Sequence, residues 1–147
     1  MTIRIAIPSD IPAIQIIRNA VKENTLSDPN LIPDELVEQY LTERGMGWVA
    51  LKDSAIVGFA IVDFQDPSIW ALFIHPDFEG KGIGKQLLQV MLAGYFQQND
   101  HPLWLSTDEK SRAAVFYEKQ GWKNEGPYGK NEIKMTLRKQ DWIAFQH

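Results

Sequence analysis

The sequence predicts a mixed α/β domain organised around a buried strand that leads through a glycine-rich turn into a long helix. Residues 70–74 form a continuous apolar run of strand length, which is typical of a strand buried on both faces. Gly80, Gly82 and Gly84 follow it, and apolar residues then recur at helical spacing as far as Phe96. The other segments alternate in the order βααβββαβαββ without an internal repeat, which predicts one layered α/β structure.

The N-terminal half predicts a strand, two helices and two further strands. Residues 2–6 alternate as a strand does, and Ser9 is the expected N-cap of the first helix. Pro33 is well placed at the start of a second helix, which Gly45 and Gly47 are expected to end. The polar segment 24–30 separates the two helices, and strands are predicted over 47–51 and 55–62.

The C-terminal half predicts further alternation of helices and strands. The predicted elements are a helix directly behind the glycine turn with its apolar residues from Leu87 to Phe96, a strand over 102–106, a helix over 111–119, a short strand that starts at 122–123 and a last strand over 132–137. Gly121 is the expected C-cap of the second of these helices, and residues 126–129 are expected to turn. The tail from Gln140 contains Trp142, Ile143 and Phe145, and we expect either a helical turn or a contact with a second subunit.

Length and composition are those of one globular domain spanning residues 1–147. The chain is 44% hydrophobic and 23% charged, and no apolar run approaches the roughly 20 residues of a membrane helix. Absence of cysteine excludes disulfides, thiolate metal sites and a cysteine nucleophile, and the N-terminus lacks the pattern of a signal peptide. We therefore expect a cytoplasmic protein that does not bind a membrane. The formal charge of −4, without a basic run, argues against nucleic-acid binding.

The strand, glycine turn and helix together predict an anion site. Glycines leave backbone N–H groups uncovered, and the N-terminus of a helix carries a partial positive charge, so a pyrophosphate is the natural occupant. The spacing here is G-x-G-x-G, whereas a dinucleotide-binding loop requires G-x-G-x-x-G. A P-loop is excluded because Glu79 occupies its first glycine position and Gln86 its Ser/Thr position.

Two segments carry a resemblance to a known family. Residues 79–84, Glu-Gly-Lys-Gly-Ile-Gly, resemble motif A (Q/R-x-x-G-x-G/A) of the GCN5-related N-acetyltransferases, with Glu79 in place of Gln or Arg. Residues 113–122 are similar to the A-x-x-F-Y-E-K-x-G-F segment of that family, with Lys110 where an Asn is frequent. The resemblance implies the acyl-CoA N-acyltransferase fold. Its central sheet is mixed, mostly antiparallel and splayed between strands 4 and 5, and about four helices flank it.

The same resemblance implies acetyl-CoA as cosubstrate and assigns the site residues. The backbone of the fourth strand would pair with the pantetheine arm, a freed N–H near Phe73 would face the developing oxyanion, and Tyr117 would act as general acid to the thiolate. The implied cofactor-binding residues are Leu72, Phe73, Ile74, Glu79, Gly80, Lys81, Gly82, Ile83, Gly84, Lys85 and Tyr117. Lys110 is either a further contact to the cofactor or a solvated lysine. No metal is expected, because His75, His101 and His147 lack metal-ligand spacing.

The sequence offers several candidates for the general base and for the acceptor site. Asp63, Asp66, Glu23 and Asp28 are candidate bases, and a chain of water molecules is the alternative. In this fold the acceptor site would lie between residues 24–33 and 126–131. Trp48, Phe64 and Trp70 are candidate aromatic walls for a cationic amine.

We expect acetyl transfer to an amine, by direct transfer in a ternary complex. The acceptor is a small molecule, a peptide N-terminus or a protein lysine, and a homodimer is left open. Three alternatives remain: a larger acyl group, a non-catalytic acyl-CoA sensor or interaction module of the same fold, and an ordinary nucleotide-binding α/β module.

Overall fold

A seven-stranded sheet forms the centre of the protein, and the computed structural model describes residues 1–21 and 32–146. The strands are β1 (Thr2–Ile5), β2 (Gly45–Lys52), β3 (Ala55–Asp63), β4 (Ser68–Ile74), β5 (Leu103–Asp108), β6 (Lys123–Tyr128) and β7 (Glu132–Leu137). They lie in the order β1-β2-β3-β4-β5-β7-β6. Neighbouring strands are antiparallel except β4 and β5, which are parallel, and the predicted mixed, mostly antiparallel sheet is confirmed.

Helices cover both faces of this sheet. They are α1 (Ile11–Ala20), α2 (Asp34–Gln39), which continues into a π-helical turn (Tyr40–Arg44), α3 (Ile83–Phe96), α4 (Arg112–Lys119) and α5 (Lys139–Gln146). Residues of α1 and α2 pack in one apolar cluster, and residues of α3 and α4 pack in the other. About four helices were expected, and the described residues form a fifth, α5, from the C-terminal tail. Its Trp142 ring stacks on Phe96 with centroids 5.3 Å apart, so the helical alternative for the tail is correct.

β4 contributes side chains to both clusters. Ala71 and Phe73 pack with α1 and α2, whereas Leu72 and Ile74 pack with α3. Successive strand residues point to opposite faces, so a strand covered on both sides needs apolar residues at every position. The continuous apolar run in the sequence therefore follows from the central position of β4 in the sheet.

β4 and β5 separate almost as soon as they meet. They pair at Ser68 and Trp104, after which β5 pairs along its whole length with β7. Trp70 is an extra residue in β4, because Ile69 pairs with Val62 and Ala71 with Ile61. Such a bulge bends the strand that carries it. The predicted splay between strands 4 and 5 is confirmed.

The expected start of the first helix is wrong. Ser9 lies within a 3-10 turn (Pro8–Asp10), and α1 begins at Ile11. The carboxylate of Asp10 accepts the Ile7 N–H at 2.9 Å and pairs with Arg4 at 2.8 Å. Asp10, the last residue of the 3-10 turn, therefore provides the cap that was expected from Ser9.

The helical segment ends at Arg44 with Gly45 as its C-cap, so the predicted helix end at Gly45 is confirmed. Gly45 is also the first residue of β2, which begins two residues earlier than predicted. A Cβ on Gly45 would collide with the carbonyl oxygen of Val62, so close packing of strands requires glycine there. The turn expected at 126–129 is mostly strand, because β6 extends to Tyr128. β6 is an edge strand with an irregular register near Gly126, and edges and bulges are where sheets accept glycine and proline. No helix in the described residues is long and apolar enough to cross a membrane.

A buried ion pair holds the turn that leads into β4. Asp63 is 3% exposed, and its carboxylate lies 2.6 Å from Nη2 of Arg44. The same carboxylate accepts the N–H groups of Gln65 and Asp66 at 2.9 and 3.3 Å. One side chain therefore joins the end of the π-helical turn, the end of β3 and the approach to β4.

We expect Asp63→Asn to lower Tm by roughly 4–8 °C, because it leaves the Arg44 guanidinium without its counter-charge. Glu43→Gln is the matched control, since it makes the same chemical change at an exposed neighbouring position. Thermal unfolding followed by circular dichroism measures both variants. An equal Tm for Asp63→Asn and the control would show that the pair does not stabilise the fold.

Candidate functional site

The gap between β4 and β5 opens into a cleft with a volume of 1180 Å³. β4 lines one side, the glycine turn and the start of α3 line one end, and β5 with α4 lines the other side. Of the predicted site residues, Lys81 alone does not line the cleft, and it is exposed. Those that line it are Leu72, Phe73, Ile74, Glu79, Gly80, Gly82, Ile83, Gly84, Lys85 and Tyr117.

The edge of β4 presents backbone groups to this cleft. Leu72, Phe73 and Ile74 pair with β3 on one side and have no partner in β5 among the described residues. A strand edge of this kind offers N–H and C=O groups to an extended ligand that adds itself to the sheet.

The glycine turn is open at its centre. Gly80 and Gly82 have φ of +76° and +80°, and an added Cβ at either position would have no atom within 4 Å. Gly82 is the N-cap of α3 and supplies no capping side chain, so the first N–H groups of this 14-residue helix are available. Backbone N–H groups and the helix dipole make this end of the cleft suited to a phosphate.

An ion pair that the sequence did not predict spans the mouth of the cleft. Nη1 of Arg112, at the start of α4, lies 3.4 Å from Oε2 of Glu79 in the glycine turn. Both side chains are exposed, so the pair contributes little to stability. Nothing in the sequence signals this contact, because the two residues lie 33 positions apart on elements that only the splayed sheet brings together.

Tyr117 is buried against the side of the cleft formed by α4. Its ring packs on Phe116 and Trp122 with centroids 5.2 and 5.4 Å apart, and 7% of the residue is exposed. Burial raises the pKa of the Tyr117 phenol, and no hydrogen bond from a described residue offsets that shift. Tyr117 is therefore a neutral phenol at neutral pH, and it lines the cleft.

Ser111 fixes the helix that carries this tyrosine. Its hydroxyl accepts the Ala114 N–H at 3.1 Å and lies 3.1 Å from the Thr107 hydroxyl at the end of β5. This is the usual capping role of serine at a helix start. Lys110 also lines the cleft, beside Ser111.

Both described candidate bases have structural partners. Asp63 is held by Arg44, and Asp66 accepts the indole N–H of Trp104 at 2.9 Å. These residues line a second cavity of 310 Å³, which shares Trp70 and Ser106 with the cleft. Glu23 and Asp28 lie outside the described residues, as does most of the predicted acceptor segment 24–33.

Trp70 is the predicted aromatic residue that does line the cleft, and its ring stacks on Tyr40 with centroids 3.9 Å apart. Trp48 and Phe64 do not line it. Trp48 is buried in the core, and Phe64 packs on Tyr95 with centroids 6.0 Å apart.

The described histidines have local structural contacts. Nδ1 of His75 accepts the Asp77 N–H at 3.1 Å, and the carbonyl of His101 accepts the Tyr95 hydroxyl at 2.9 Å. Residues 1–21 and 32–146 contain no group of three or more histidine and carboxylate side chains placed to hold a metal ion.

Comparison with solved structures shows the fold. The N-acetyltransferase PaiA of Thermoplasma acidophilum, solved in complex with coenzyme A, superposes with a TM-score of 0.81 at 18% identity, covering 94% of this chain and 99% of that one. A ribosomal-protein-alanine N-acetyltransferase of Brucella melitensis gives a TM-score of 0.78 at 23% identity, with coverage of 94% and 99%.

Comparison of sequences shows the family. The peptidyl-lysine N-acetyltransferase YjaB of Salmonella typhimurium is 35% identical over 96 residues, which are 63% of this chain and 60% of that protein. The ribosomal protein bS18-alanine N-acetyltransferase of Haemophilus influenzae is 31% identical over 91 residues, or 60% and 62%. The match therefore spans less than two thirds of these relatives. A model of the acetyltransferase (GNAT) domain matches residues 43–124, more than half of the chain. The chain belongs to the GCN5-related N-acetyltransferase family.

Proposed function

We propose that this protein transfers an acetyl group from acetyl-CoA directly to the amine of an acceptor. The observation that carries the proposal is the cleft itself. An unpaired strand edge runs into an open glycine turn, and a buried neutral tyrosine faces the same space. Relatives named as N-acetyltransferases support the reaction class. Their names include peptidyl-lysine and ribosomal-protein-alanine enzymes, so an amine acceptor is common to them.

The residues at the glycine end fit the pyrophosphate of coenzyme A. Gly80, Gly82 and Gly84 leave backbone N–H groups uncovered, and the space where a Cβ would project from the first two is open. Lys85, in the first turn of α3, adds a positive charge beside them. Glu79 supplies no donor here, so the backbone would carry most of the binding.

The edge of β4 would hold the pantetheine arm and stabilise the transition state. Acetyl-CoA supplies a thioester whose carbonyl carbon is open to attack by an amine. A backbone N–H beside Phe73, on the edge of β4 that faces the cleft, would donate to the oxygen of that carbonyl as negative charge develops on it. A donor held in a sheet needs no reorganisation during the reaction, which is what makes such stabilisation effective.

Tyr117 would act as general acid to the departing sulfur. Its hydroxyl is protonated at neutral pH, because burial raises the pKa of the phenol. A thiol ordinarily titrates near 8.5, below a phenol, so complete transfer requires that the buried site disfavour the thiolate even more than the phenolate. A hydrogen bond from the neutral phenol to the sulfur lowers the barrier in either case.

The amine would lose its proton to water, because both described candidate bases are held in other contacts. A primary amine ordinarily titrates near 10.4, so a fraction is neutral at pH 8. The room beside Phe73 and Tyr117 would decide whether the acyl group is acetyl or larger.

The first prediction tests the cofactor site. Acetyl-CoA at about 100 times its Kd should stabilise the protein by roughly 2.7 kcal/mol, whereas ATP and NAD should not. Gly82→Asp should weaken acetyl-CoA binding roughly 100-fold, because it places a side chain and a negative charge in the cradle. Calorimetry measures the affinity, and thermal shifts check the selectivity.

Gly129→Asp is the matched control for this substitution. Gly129 also has a positive φ, +71°, and also has no atom within 4 Å of an added Cβ, but it lies outside the cleft. The two variants therefore share the backbone strain and the added charge. Equal acetyl-CoA affinity in both would show that the phosphate site has been assigned to the wrong turn.

The second prediction tests the general acid. Tyr117→Phe should lower kcat at saturating acetyl-CoA by roughly 100-fold while leaving the KM for acetyl-CoA similar, because a proton donor is lost but the ring remains. A thiol reagent reports the released coenzyme A without background, since the chain has no cysteine. Tyr95→Phe is the control, because it removes a phenol hydroxyl that lies outside the cleft.

Unchanged kcat in Tyr117→Phe would remove the acid assignment. Acetyl-CoA binding without thiol release across a broad panel of amines would favour a non-catalytic acyl-CoA sensor of the same fold.

A further inference from the structure

Arg18 is a buried cation on the α1 side of the sheet. The residue is 6% exposed, and its guanidinium carbon lies 4.9 Å from the ring centroid of Trp70 and 5.4 Å from that of Phe73. A third ring, that of Phe59, lies 5.8 Å away. Aromatic faces attract a cation, but they do not accept the hydrogen bonds of its N–H groups as a carboxylate does.

Arg18 differs from every other arginine of the chain in its partners. Arg4 pairs with Asp10, Arg44 with Asp63, Arg112 with Glu79 and Arg138 with Asp141. Within residues 1–21 and 32–146, Arg18 has no carboxylate partner, and its buried Nε and Nη2 atoms make no hydrogen bond. Burial without a counter-charge lowers the pKa of the Arg18 guanidinium to about 10.

The two unbonded atoms form one edge of the guanidinium. This edge, Nε with Nη2, is the one that two other arginines of the chain use for carboxylates. Arg44 donates from it to Asp63 at 3.4 and 2.6 Å. Arg138 donates from it to Asp141 at 2.8 and 3.1 Å. The edge therefore has the geometry for a two-point contact with a carboxylate.

Arg18 stands directly behind the cleft. Trp70 and Phe73, whose rings it contacts, both line the cleft, and so does Val21, which follows the last residue of α1. The glycine turn that suits a phosphate follows the opposite end of β4, beyond Ile74. Tyr117 packs in the cluster on the other face of the sheet. Arg18 itself does not line the cleft, so a carboxylate in the cleft would reach the guanidinium only when the Trp70 or Phe73 ring shifts, and it would do so from the α1 side, away from the phosphate end.

We propose that Arg18 binds a carboxylate of the acceptor, so that the acceptor is a small amine that also carries a carboxylate, such as a free amino acid. This inference rests on the proposed acetyl transfer. The aromatic rings of Trp70 and Phe73 would flank the ligand, and the two donors of Arg18 would fix its carboxylate. A nearby positive charge also disfavours the ammonium form of the acceptor, which assists loss of the proton that transfer requires.

The test compares acceptors that differ in the carboxylate alone. Free amino acids, their amides and the corresponding decarboxylated amines are assayed with acetyl-CoA by release of the thiol. We expect kcat/KM for the preferred amino acid to exceed that for its amide by at least 100-fold. Arg18→Met should reduce this ratio to near one, mainly through KM, and Arg18→Lys should restore part of it. Ile16→Met, on the exposed face of α1, should keep the wild-type ratio.

Thermal unfolding separates ligand binding from a structural role. Because Arg18 is buried with no carboxylate partner among the described residues, Arg18→Met should leave Tm unchanged or raise it. Arg44→Met should lower Tm, because it leaves the buried carboxylate of Asp63 unpaired. The acetyl-CoA thermal shift should persist in Arg18→Met.

Amides or decarboxylated amines that match the amino acids in the wild-type enzyme would overturn the inference and leave acetyl transfer standing. A fall in Tm for Arg18→Met equal to that for Arg44→Met would also overturn it, since it would show Arg18 to be a structural residue. Peptides that surpass free amino acids as acceptors would overturn it as well. An acetyl-CoA shift without transfer to any acceptor would overturn both the inference and the proposed reaction.

Discussion

The separation of β4 from β5 is the constraint on which the rest of the structure depends. A central strand normally hydrogen-bonds on both sides, yet β4 gives up its β5 partner after Ser68. β5 recovers its bonds by pairing fully with β7, whereas β4 keeps its partners in β3 and leaves its other edge to the cleft. A strand edge left open inside a protein is costly unless water or a ligand satisfies it. Binding of a ligand along the open edge of β4 would therefore offset the free-energy cost of leaving its backbone groups unpaired.

Several hydrogen bonds and an ion pair hold the point where β4 and β5 diverge. Asp63 joins Arg44 to the N–H groups of the following turn. Asp66 accepts the indole N–H of Trp104, and Pro67 accepts the backbone N–H of Trp104. Because these contacts surround the single pairing of β4 with β5, the angle at which the strands part is held by the buried carboxylate of Asp63 and the exposed carboxylate of Asp66. The carboxylates of Asp63 and Asp66 thus have structural roles, in keeping with the proposal that water accepts the proton of the amine.

The cleft has charged and neutral polar groups in separate places. The glycine turn and the start of α3 concentrate N–H groups and Lys85 at one end. Tyr117 is neutral on the α4 side, and Arg18 is a cation behind the aromatic wall on the α1 side. Such an arrangement would hold a large anion at one end and act on an uncharged amine near the middle of β4. The position of the sheet between the two helical layers is what keeps these groups apart.

The sequence by itself determined the element order, the double-sided burial of β4 and the open glycine turn, because apolar periodicity and glycine placement are local properties of the chain. The two motifs also led to the family. Every site residue predicted from the resemblance, except Lys81, lines the cleft. Local pattern could not show that Gly45 serves close packing of strands, or that β6 continues through Gly126. Only the tertiary structure showed these two features. It alone also showed the pairing of Asp63 with Arg44, the contact between Glu79 and Arg112, and the lack of a partner for Arg18 within the described residues. Each depends on distances between segments far apart in the chain, and such distances are set by packing of the whole sheet.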